Sequence, residues 1–166
     1  MAKKGFDRKS FRKWLDILAK VVVKARDNHT CQIHIDDACA GAMPPGDNNC
    51  QWCHITGRNN NNLRWDLLNA LTGCGHCHRW AHDNPVQFGR WLETTYPHIA
   101  TYISMPVHNV HRTWKEDDYR GIERRLLEKA VELDVDFMWV PTSSGYREKF
   151  VRRLLETERR LNKEKS

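Results

Sequence analysis

The chain has 166 residues, of which 40% are hydrophobic and 29% charged, and its mean hydropathy is −0.75. This length suits one domain with extensions, and no apolar stretch approaches the roughly 20 residues of a membrane-spanning helix. The Lys-rich start resembles the first part of a secretory signal, but charged residues interrupt the apolar stretch that follows it. We therefore expect an intracellular protein with no membrane span.

The net charge of +6 is unevenly distributed. Residues 1–26 carry a net charge of +7 and residues 142–166 carry +4, whereas residues 27–141 carry −5. Basic ends would attract a phosphate backbone, although ordinary solvated helix faces have the same composition. Charge alone therefore leaves a DNA partner and a solvated surface as equal alternatives.

Apolar residues recur at helical spacing over residues 7–26, which predicts a first helix capped by Asp7 or Ser10. Residues 27–49 show no periodicity and contain turn-forming residues. Within residues 51–57 the sequence predicts a short strand that ends at His54-Ile55, followed by a turn at Thr56-Gly57. The Asn run that follows, Asn59 to Asn62, predicts a loop.

A second strand is predicted over residues 63–71, with Asn69 near its end. Two helices follow, over 75–83 and 85–95, because Asn84-Pro85 stops the first and Pro85 suits the first turn of the second. Residues 97–114 read as irregular. Further helices are predicted over 115–133 and 145–164, with a short apolar run over 134–141 between them. The last helix is basic, and it could dock on the preceding helix, mediate a homodimer or contact DNA.

Cysteine and histidine concentrate between residues 50 and 82, which hold four of the six Cys and four of the nine His. Two Cys-x-x-Cys pairs are each followed directly by a histidine, His54 and His78, and His82 follows four residues later. In an intracellular chain this pattern favours metal over disulfides. On a helix, His78 and His82 share one face, as two ligands of one ion require. The pattern predicts a thiolate zinc site with a second, reactive ion beside it.

The residues around these pairs resemble the HNH endonucleases. The matching motifs are His54-Ile-Thr-Gly-Arg58, Leu63-Arg64-Trp65-Asp66, Asn69 and Cys74-x-x-Cys77-His78. They are most similar to phage recombination nucleases of the NinG (Rap) type, and more distantly to phage endonuclease VII. The resemblance covers roughly residues 10–96. It implies an α+β, mostly α fold, in which a zinc-stabilised ββα-metal unit (28–96) lies between an N-terminal basic helix (1–27) and a C-terminal helical extension (97–166).

The resemblance also implies the site residues. His54 would be the general base and Asn69 would brace the loop that positions it. A catalytic Mg²⁺ or Mn²⁺ would be held by His78 and His82, with Cys53 at the place where many members carry an acidic residue or a second histidine. Arg58 and Arg64 are candidates for contacting phosphate oxygens.

Two sets of zinc ligands remain open. In the family the first zinc knuckle lies near residue 31, which favours the set Cys31, Cys39, Cys74 and Cys77, with His34 as the alternate for Cys39. Spacing alone favours the competing set Cys50, Cys53, Cys74 and Cys77. The two cysteines left over could contribute to a second zinc site.

The sequence thus predicts a metal-dependent HNH endonuclease that cleaves DNA, with branched recombination intermediates as the substrate that the family implies. If the gene is phage-borne, the protein would act in the cytoplasm of a bacterial host. The predicted DNA contacts beyond the cleft come from the last helix, through Arg152, Arg153, Arg159 and Arg160. The alternative function is a non-catalytic zinc module that binds nucleic acid or a protein partner.

Overall fold

A computed structural model describes residues 5–44, 46–136, 140 and 145–165. It is mostly helical with one small antiparallel sheet, which confirms the α+β, mostly α class. The elements are α1 Arg8–Arg26, β1 Gln51–His54, β2 Ala70–Gly73, α2 Gly75–Asp83, α3 Pro85–Thr95, α4 Pro97–Ile103, α5 Glu116–Glu132 and α6 Tyr146–Glu164. Short 3-10 turns occupy Leu67–Asn69 and Pro106–Asn109. None of the helices in the described part of the chain has the length and hydrophobicity needed to cross a bilayer.

The chain divides into two compact units. The first, called here the helical unit, comprises Met1–Val22 and Thr113–Ser166, and the second, the sheet unit, comprises Val23–Arg112. The boundaries differ from the predicted segments 1–27, 28–96 and 97–166. The two ends of the chain group together, and residues 97–112 group with the sheet.

The helical unit is organised around Trp14, which is fully buried. Its indole N–H donates to the carboxylate of Glu123 on α5 at 2.7 Å, and its ring stacks on Tyr146 at the start of α6. At the beginning of α1, the carboxylate of Asp7 accepts hydrogen bonds from the amide and the hydroxyl of Ser10. Asp7 is therefore the cap of this helix, and its hydrogen bonds from Ser10 lower the pKa of the carboxyl.

In the sheet unit, β1 and β2 pair antiparallel, with Cys53 opposite Leu71 and His54 opposite Ala70. Side chains alternate between the faces of a strand, so Cys53 is buried whereas His54 is half-buried. The predicted strand over 63–71 is wrong in extent, because β2 begins only at Ala70. The carboxylate of Asp66 accepts from the amide of Leu68 and starts a 3-10 turn that ends at Asn69.

The predicted irregular segment 97–114 is also corrected, because it contains α4 and a 3-10 turn. Pro97 occupies the first turn of α4, where its missing N–H costs nothing. The side-chain amides of Asn60 and Asn62 donate to the carbonyl of His108 at 3.1 Å each, and Tyr102 donates to the carboxylate of Asp66. These bonds fasten the segment to the sheet unit.

The remaining helix predictions agree closely with the structure. The helices predicted over 75–83 and 85–95 are α2 and α3, and those over 115–133 and 145–164 are α5 and α6. In the apolar run predicted over 134–141, Val135 and Val140 are among the described residues, and both are buried. Residues 137–139 and 141 of that run lie outside the described residues.

Candidate metal centres and catalytic cleft

Four cysteines converge in the sheet unit. The sulfurs of Cys31, Cys39, Cys74 and Cys77 all lie within 4.8 Å of one another. A tetrahedral zinc site with Zn–S bonds of about 2.3 Å places its sulfurs about 3.8 Å apart, so a small contraction completes the geometry. This cluster, which could hold a metal such as zinc, is the set that the family resemblance favoured.

The start of α2 positions two sulfurs of the cluster, those of Cys74 and Cys77. Cys74 is the N-cap of α2, and its sulfur accepts from the amide of Cys77 at 3.5 Å. Burial by itself would raise the pKa of Cys74, but hydrogen bonds from the amides of Cys77 and Ala40 lower it to about 7. Burial raises the pKa of Cys39 and of Cys77. Cation binding would therefore release protons from Cys39 and Cys77.

The competing zinc set is not assembled. Cys50 and Cys53 are buried in the hydrophobic core beside Ile33 and Leu71, outside the four-sulfur group. A Cβ added to Gly73 would lie 2.6 Å from the sulfur of Cys53, which shows how tightly this thiol is packed. Burial raises the pKa of Cys53 far above its ordinary value, so the thiol is neutral. Cys53 also lines the cleft that contains His54, His78 and His82, but within the described residues it belongs to no group of three or more ligands that closes around an ion.

His34, the alternate zinc ligand, is also outside the group. It is exposed, and its backbone adopts a positive φ of 40° in the loop between Cys31 and Cys39. The loop therefore delivers its two sulfurs to the cluster and turns the imidazole outward.

His54 stands at the end of β1 with a defined orientation. Its Nε2 lies 3.1 Å from the carbonyl oxygen of Arg64, and its ring lies 4.0 Å from that of Trp52 between centroids. A carbonyl oxygen can only accept, so this bond places the proton on Nε2 and leaves a lone pair on Nδ1. His54 therefore has the tautomer that a general base acting through Nδ1 needs.

Asn69 braces the loop that supplies this carbonyl. It is fully buried; its side-chain oxygen accepts from the amide of Thr56 at 2.7 Å, and its nitrogen donates to the carbonyls of Thr56 and Leu63 at 2.9 and 3.0 Å. One side chain thus ties together both ends of the 55–66 loop. Asn69 lies before β2 and not within it, but its contacts are those of a loop brace.

His78 and His82 face each other across one turn of α2. Their Nε2 atoms are 3.0 Å apart, and Nδ1 of His78 lies 2.6 Å from the side-chain oxygen of Gln51 on β1. Two ligands at about 2.1 Å from one ion are about 3.0 Å apart when they meet at a right angle. Burial first, and then the neighbouring His82 and Arg58, lower the pKa of His78 and favour the neutral imidazole that binds metal.

The histidine pair does not form a complete ligand set by itself. Within the described ranges, the four-cysteine cluster is the one group of three or more Cys, His, Asp or Glu side chains that closes within ligand distance. A cation at His78 and His82 would therefore take its remaining ligands from water or from a bound phosphate. Gln51, which sequence reasoning missed, is connected to His78 only by the tertiary fold, 27 residues apart.

His54, Arg58, His78 and His82 line one cleft of about 610 Å³. Arg64 is also predicted to contact phosphate, but it does not line this cleft. Its guanidinium donates to the carbonyl of Arg58 at 3.0 Å and lies over the ring of Trp65, so it supports the loop from outside the cleft lining. Of the two predicted phosphate contacts, Arg58 is the one that the cleft presents.

The four arginines of α6 are not equivalent. Arg153 is paired with Glu123 and Glu156, each at 2.9 Å, and Arg160 is paired with Glu128 at 2.6 Å. Arg152 and Arg159, by contrast, are exposed. The sequence treated these four side chains as one DNA-binding group, whereas the structure commits Arg153 and Arg160 to contacts between α5 and α6.

Comparison with known proteins adds no relative to this description. No family model matches the chain, and neither a curated protein nor a solved structure matches it.

Proposed function

We propose that this protein is a metal-dependent endonuclease of the HNH type that hydrolyses DNA phosphodiesters. The observation that carries the proposal is the content of one cleft. It combines His54, whose ring is oriented by the carbonyl of Arg64, with a pair of imidazoles spaced as neighbouring ligands of one ion. Hydrolysis of a phosphodiester needs both a proton acceptor for water and positive charge at the phosphate.

His54 is the general base of the proposed reaction. Its neutral imidazole accepts a proton from water at Nδ1 while Nε2 stays bonded to the carbonyl of Arg64. When the ring becomes positive, its Nε2–H becomes a stronger donor to that carbonyl, so the hydrogen bond stabilises the imidazolium where it forms. Asn69 keeps the loop, and with it the carbonyl, in place.

His78 and His82 would hold the catalytic cation. When bound, a divalent ion supplies Lewis-acid stabilisation of the charge that develops on the phosphate. Two imidazoles with no carboxylate favour Mn²⁺ or Zn²⁺ over Mg²⁺, so Mn²⁺ is the first ion to test. Arg58 is exposed at the same cleft and adds positive charge for a phosphate oxygen.

A second function, a non-catalytic zinc module that binds nucleic acid or a protein partner, is favoured by one specific observation. Cys53 stands where the resembling nucleases carry another metal ligand, and its thiol is packed into the core as a neutral group. In that alternative the cysteine cluster stabilises the fold, and the histidines of the cleft have no catalytic role.

A nicking assay separates the two functions. Supercoiled plasmid and branched DNA are incubated with the purified protein at a series of Mg²⁺ and Mn²⁺ concentrations. We expect cleavage by the parent, a loss of about a hundred- to ten-thousand-fold in His54→Ala, and a loss in His78→Ala that high Mn²⁺ partly reverses. His98→Ala is the matched control, because His98 is exposed and does not line the cleft.

The variants also distinguish the roles of the two histidines. A general base cannot be replaced by more metal, so Mn²⁺ should not rescue His54→Ala. Cleavage by His54→Ala at the parental rate would refute the assignment of the base. If the parent cleaves neither substrate with any divalent ion, the non-catalytic function is the correct one.

A further inference from the structure

The cleft extends well beyond the histidines. Its lining continues onto α3 and α4, and the part whose walls are apolar side chains of these two helices is called here the slot. The side chains that form these walls are Phe88, Leu92, Ala100 and Ile103. None of them has a part in the proposed hydrolysis, so the slot requires a separate explanation.

Gly89 keeps this slot open. It lies in the interior of α3 and lines the cleft, and a Cβ built on it would meet no atom within 4 Å. A glycine in the interior of a helix destabilises that helix relative to alanine. Its backbone has no positive φ that would require glycine. The absence of a side chain at Gly89, which lowers the stability of the helix, therefore leaves space inside the cleft.

The lining of the cleft also contains polar residues of α3 and α4. Along α3, the face in the cleft runs from Pro85, directly after α2, to Glu93, eight residues or about 12 Å further on. Ser104 lies at the end of α4 in the same lining. The lining of the cleft thus combines an arginine and imidazole side chains with the apolar slot, a carboxylate and a hydroxyl.

We propose that this slot binds a single unstacked nucleobase, from the nucleotide next to the phosphate that is cleaved. The inference rests on the proposed function and deepens it. A nucleotide carries a phosphate that suits Arg58 and the metal-binding histidines, together with a flat base whose faces suit apolar walls. The edge of the base carries N–H donors that Glu93 can accept.

Binding of a base in the slot requires that the base leave its stack in the DNA. Removing a base from its stack costs the most free energy in a paired duplex and the least where the strand is already unpaired. A nuclease with such a slot prefers DNA with an unpaired or weakly stacked nucleotide beside the scissile phosphate. Branch points are DNA structures that offer one.

The test measures base unstacking apart from cleavage. Branched DNA with 2-aminopurine at the branch point is titrated with the zinc-loaded protein in Ca²⁺, and both 2-aminopurine fluorescence and DNA anisotropy are recorded. We expect a several-fold rise in fluorescence with the parent protein. Gly89→Leu should abolish the rise because its side chain fills the slot, and Ala100→Leu should do so from the opposite wall.

Two controls use the same helix. Val86→Leu adds a side chain of the same size on α3, but Val86 is 63% exposed and does not line the cleft, so the fluorescence rise should remain. Gly89→Ala should raise the melting temperature by a few degrees, because alanine is the better helix former and the space at Gly89 is open. A lower melting temperature in Gly89→Ala would show that Gly89 serves the packing of α3, and it would overturn the inference.

The outcomes separate this inference from the proposed nuclease activity. No rise with the parent, or an unchanged rise in Gly89→Leu, overturns the nucleobase slot even if the parent cleaves DNA. A rise that Gly89→Leu and Ala100→Leu both remove supports the slot even if no cleavage is detected, in which case the proposed function alone fails.

Discussion

The side-chain oxygen of Gln51 lies 2.6 Å from Nδ1 of His78, and Nε2 of the same imidazole lies 3.0 Å from Nε2 of His82. An amide oxygen can only accept a hydrogen bond, so Nδ1 of His78 carries the proton and donates it in this bond, which leaves the lone pair of His78 on Nε2, facing His82. Gln51 therefore sets the tautomer in which His78 can bind a cation. Partners of this kind usually contribute 10- to 100-fold to metal affinity.

We predict that Gln51→Leu weakens Mn²⁺ binding at the cleft by about 10- to 100-fold, as measured by calorimetry on the zinc-loaded protein. Gln51→Glu is the matched control, because it keeps an acceptor oxygen at nearly the same place and should bind Mn²⁺ at least as well as the parent. Equal affinity in the parent and Gln51→Leu would show that the bond to Gln51 has no influence on the metal site.

We predict that substitutions of buried cysteines inside and outside the cluster have different effects on zinc binding and stability. Cys74→Ser or Cys77→Ser should release zinc and largely unfold the sheet unit, because the cluster joins the loop that carries Cys31 and Cys39 to the start of α2. Cys50→Ser, equally buried but outside the cluster, should keep its zinc. Zinc content by mass spectrometry and thermal melting provide the two measurements. Loss of zinc in Cys50→Ser together with its retention in Cys77→Ser would contradict the assignment.

The arginines of α6 allow a paired comparison. Arg152→Gln with Arg159→Gln should weaken DNA binding on all sequences, because both side chains are exposed. The salt slope should fall by roughly one unit for each phosphate that the variant no longer neutralises. Arg153→Gln should instead lower the free energy of unfolding by about 1–3 kcal/mol, because it leaves the buried carboxylate of Glu123 with a poorer set of donors. Filter binding at several salt concentrations and urea denaturation measure the two effects. An unchanged salt slope in the first variant would place α6 away from DNA.

The parts of this fold that could be predicted from the sequence are those determined locally. The sequence predicts α2 and α3 at their observed bounds because Asn84-Pro85 ends one helix and begins the next within two residues. The family pattern predicts that Asn69 braces a loop, and its side chain is bonded to Thr56 and Leu63, but the predicted second strand begins seven residues before β2. The hydrogen bond from Leu68 to Asp66 that delays the strand cannot be read from hydrophobic periodicity.

The remaining corrections concern contacts between residues distant in sequence. Spacing favoured Cys50 and Cys53 as ligands, whereas strand alternation and the close approach of Gly73 make Cys53 part of the core. The composition of α6 indicated a basic surface, whereas Glu123 and Glu128 of α5 engage half of the arginines that were considered. Charge patterns locate candidates, but only the partners across the fold decide which of them are available.

His29 provides a test of stability against pH. It is buried just after α1, with a backbone φ of 52°, and burial together with the nearby Lys24 lowers its pKa to about 4 from an ordinary value near 6.5, while Asp27 opposes the shift. The unfolded chain takes up a proton at His29 as the pH falls below about 6.5, whereas the folded chain does so only near 4. Stability is therefore lost as the pH falls through this interval, at no more than about 1.4 kcal/mol per pH unit from one proton.

We predict that His29→Asn flattens this loss. Asparagine tolerates the positive φ and has no proton to gain, so the difference in unfolding free energy between variant and parent should grow in favour of the variant from pH 7 down to pH 4.5. Protonation of the cysteine cluster also destabilises both proteins at low pH, but it is common to both and cancels in the difference. Urea denaturation of the zinc-loaded proteins at four pH values measures it. Parallel curves would mean that His29 titrates alike in the folded and unfolded chains, and that its burial has no electrostatic consequence.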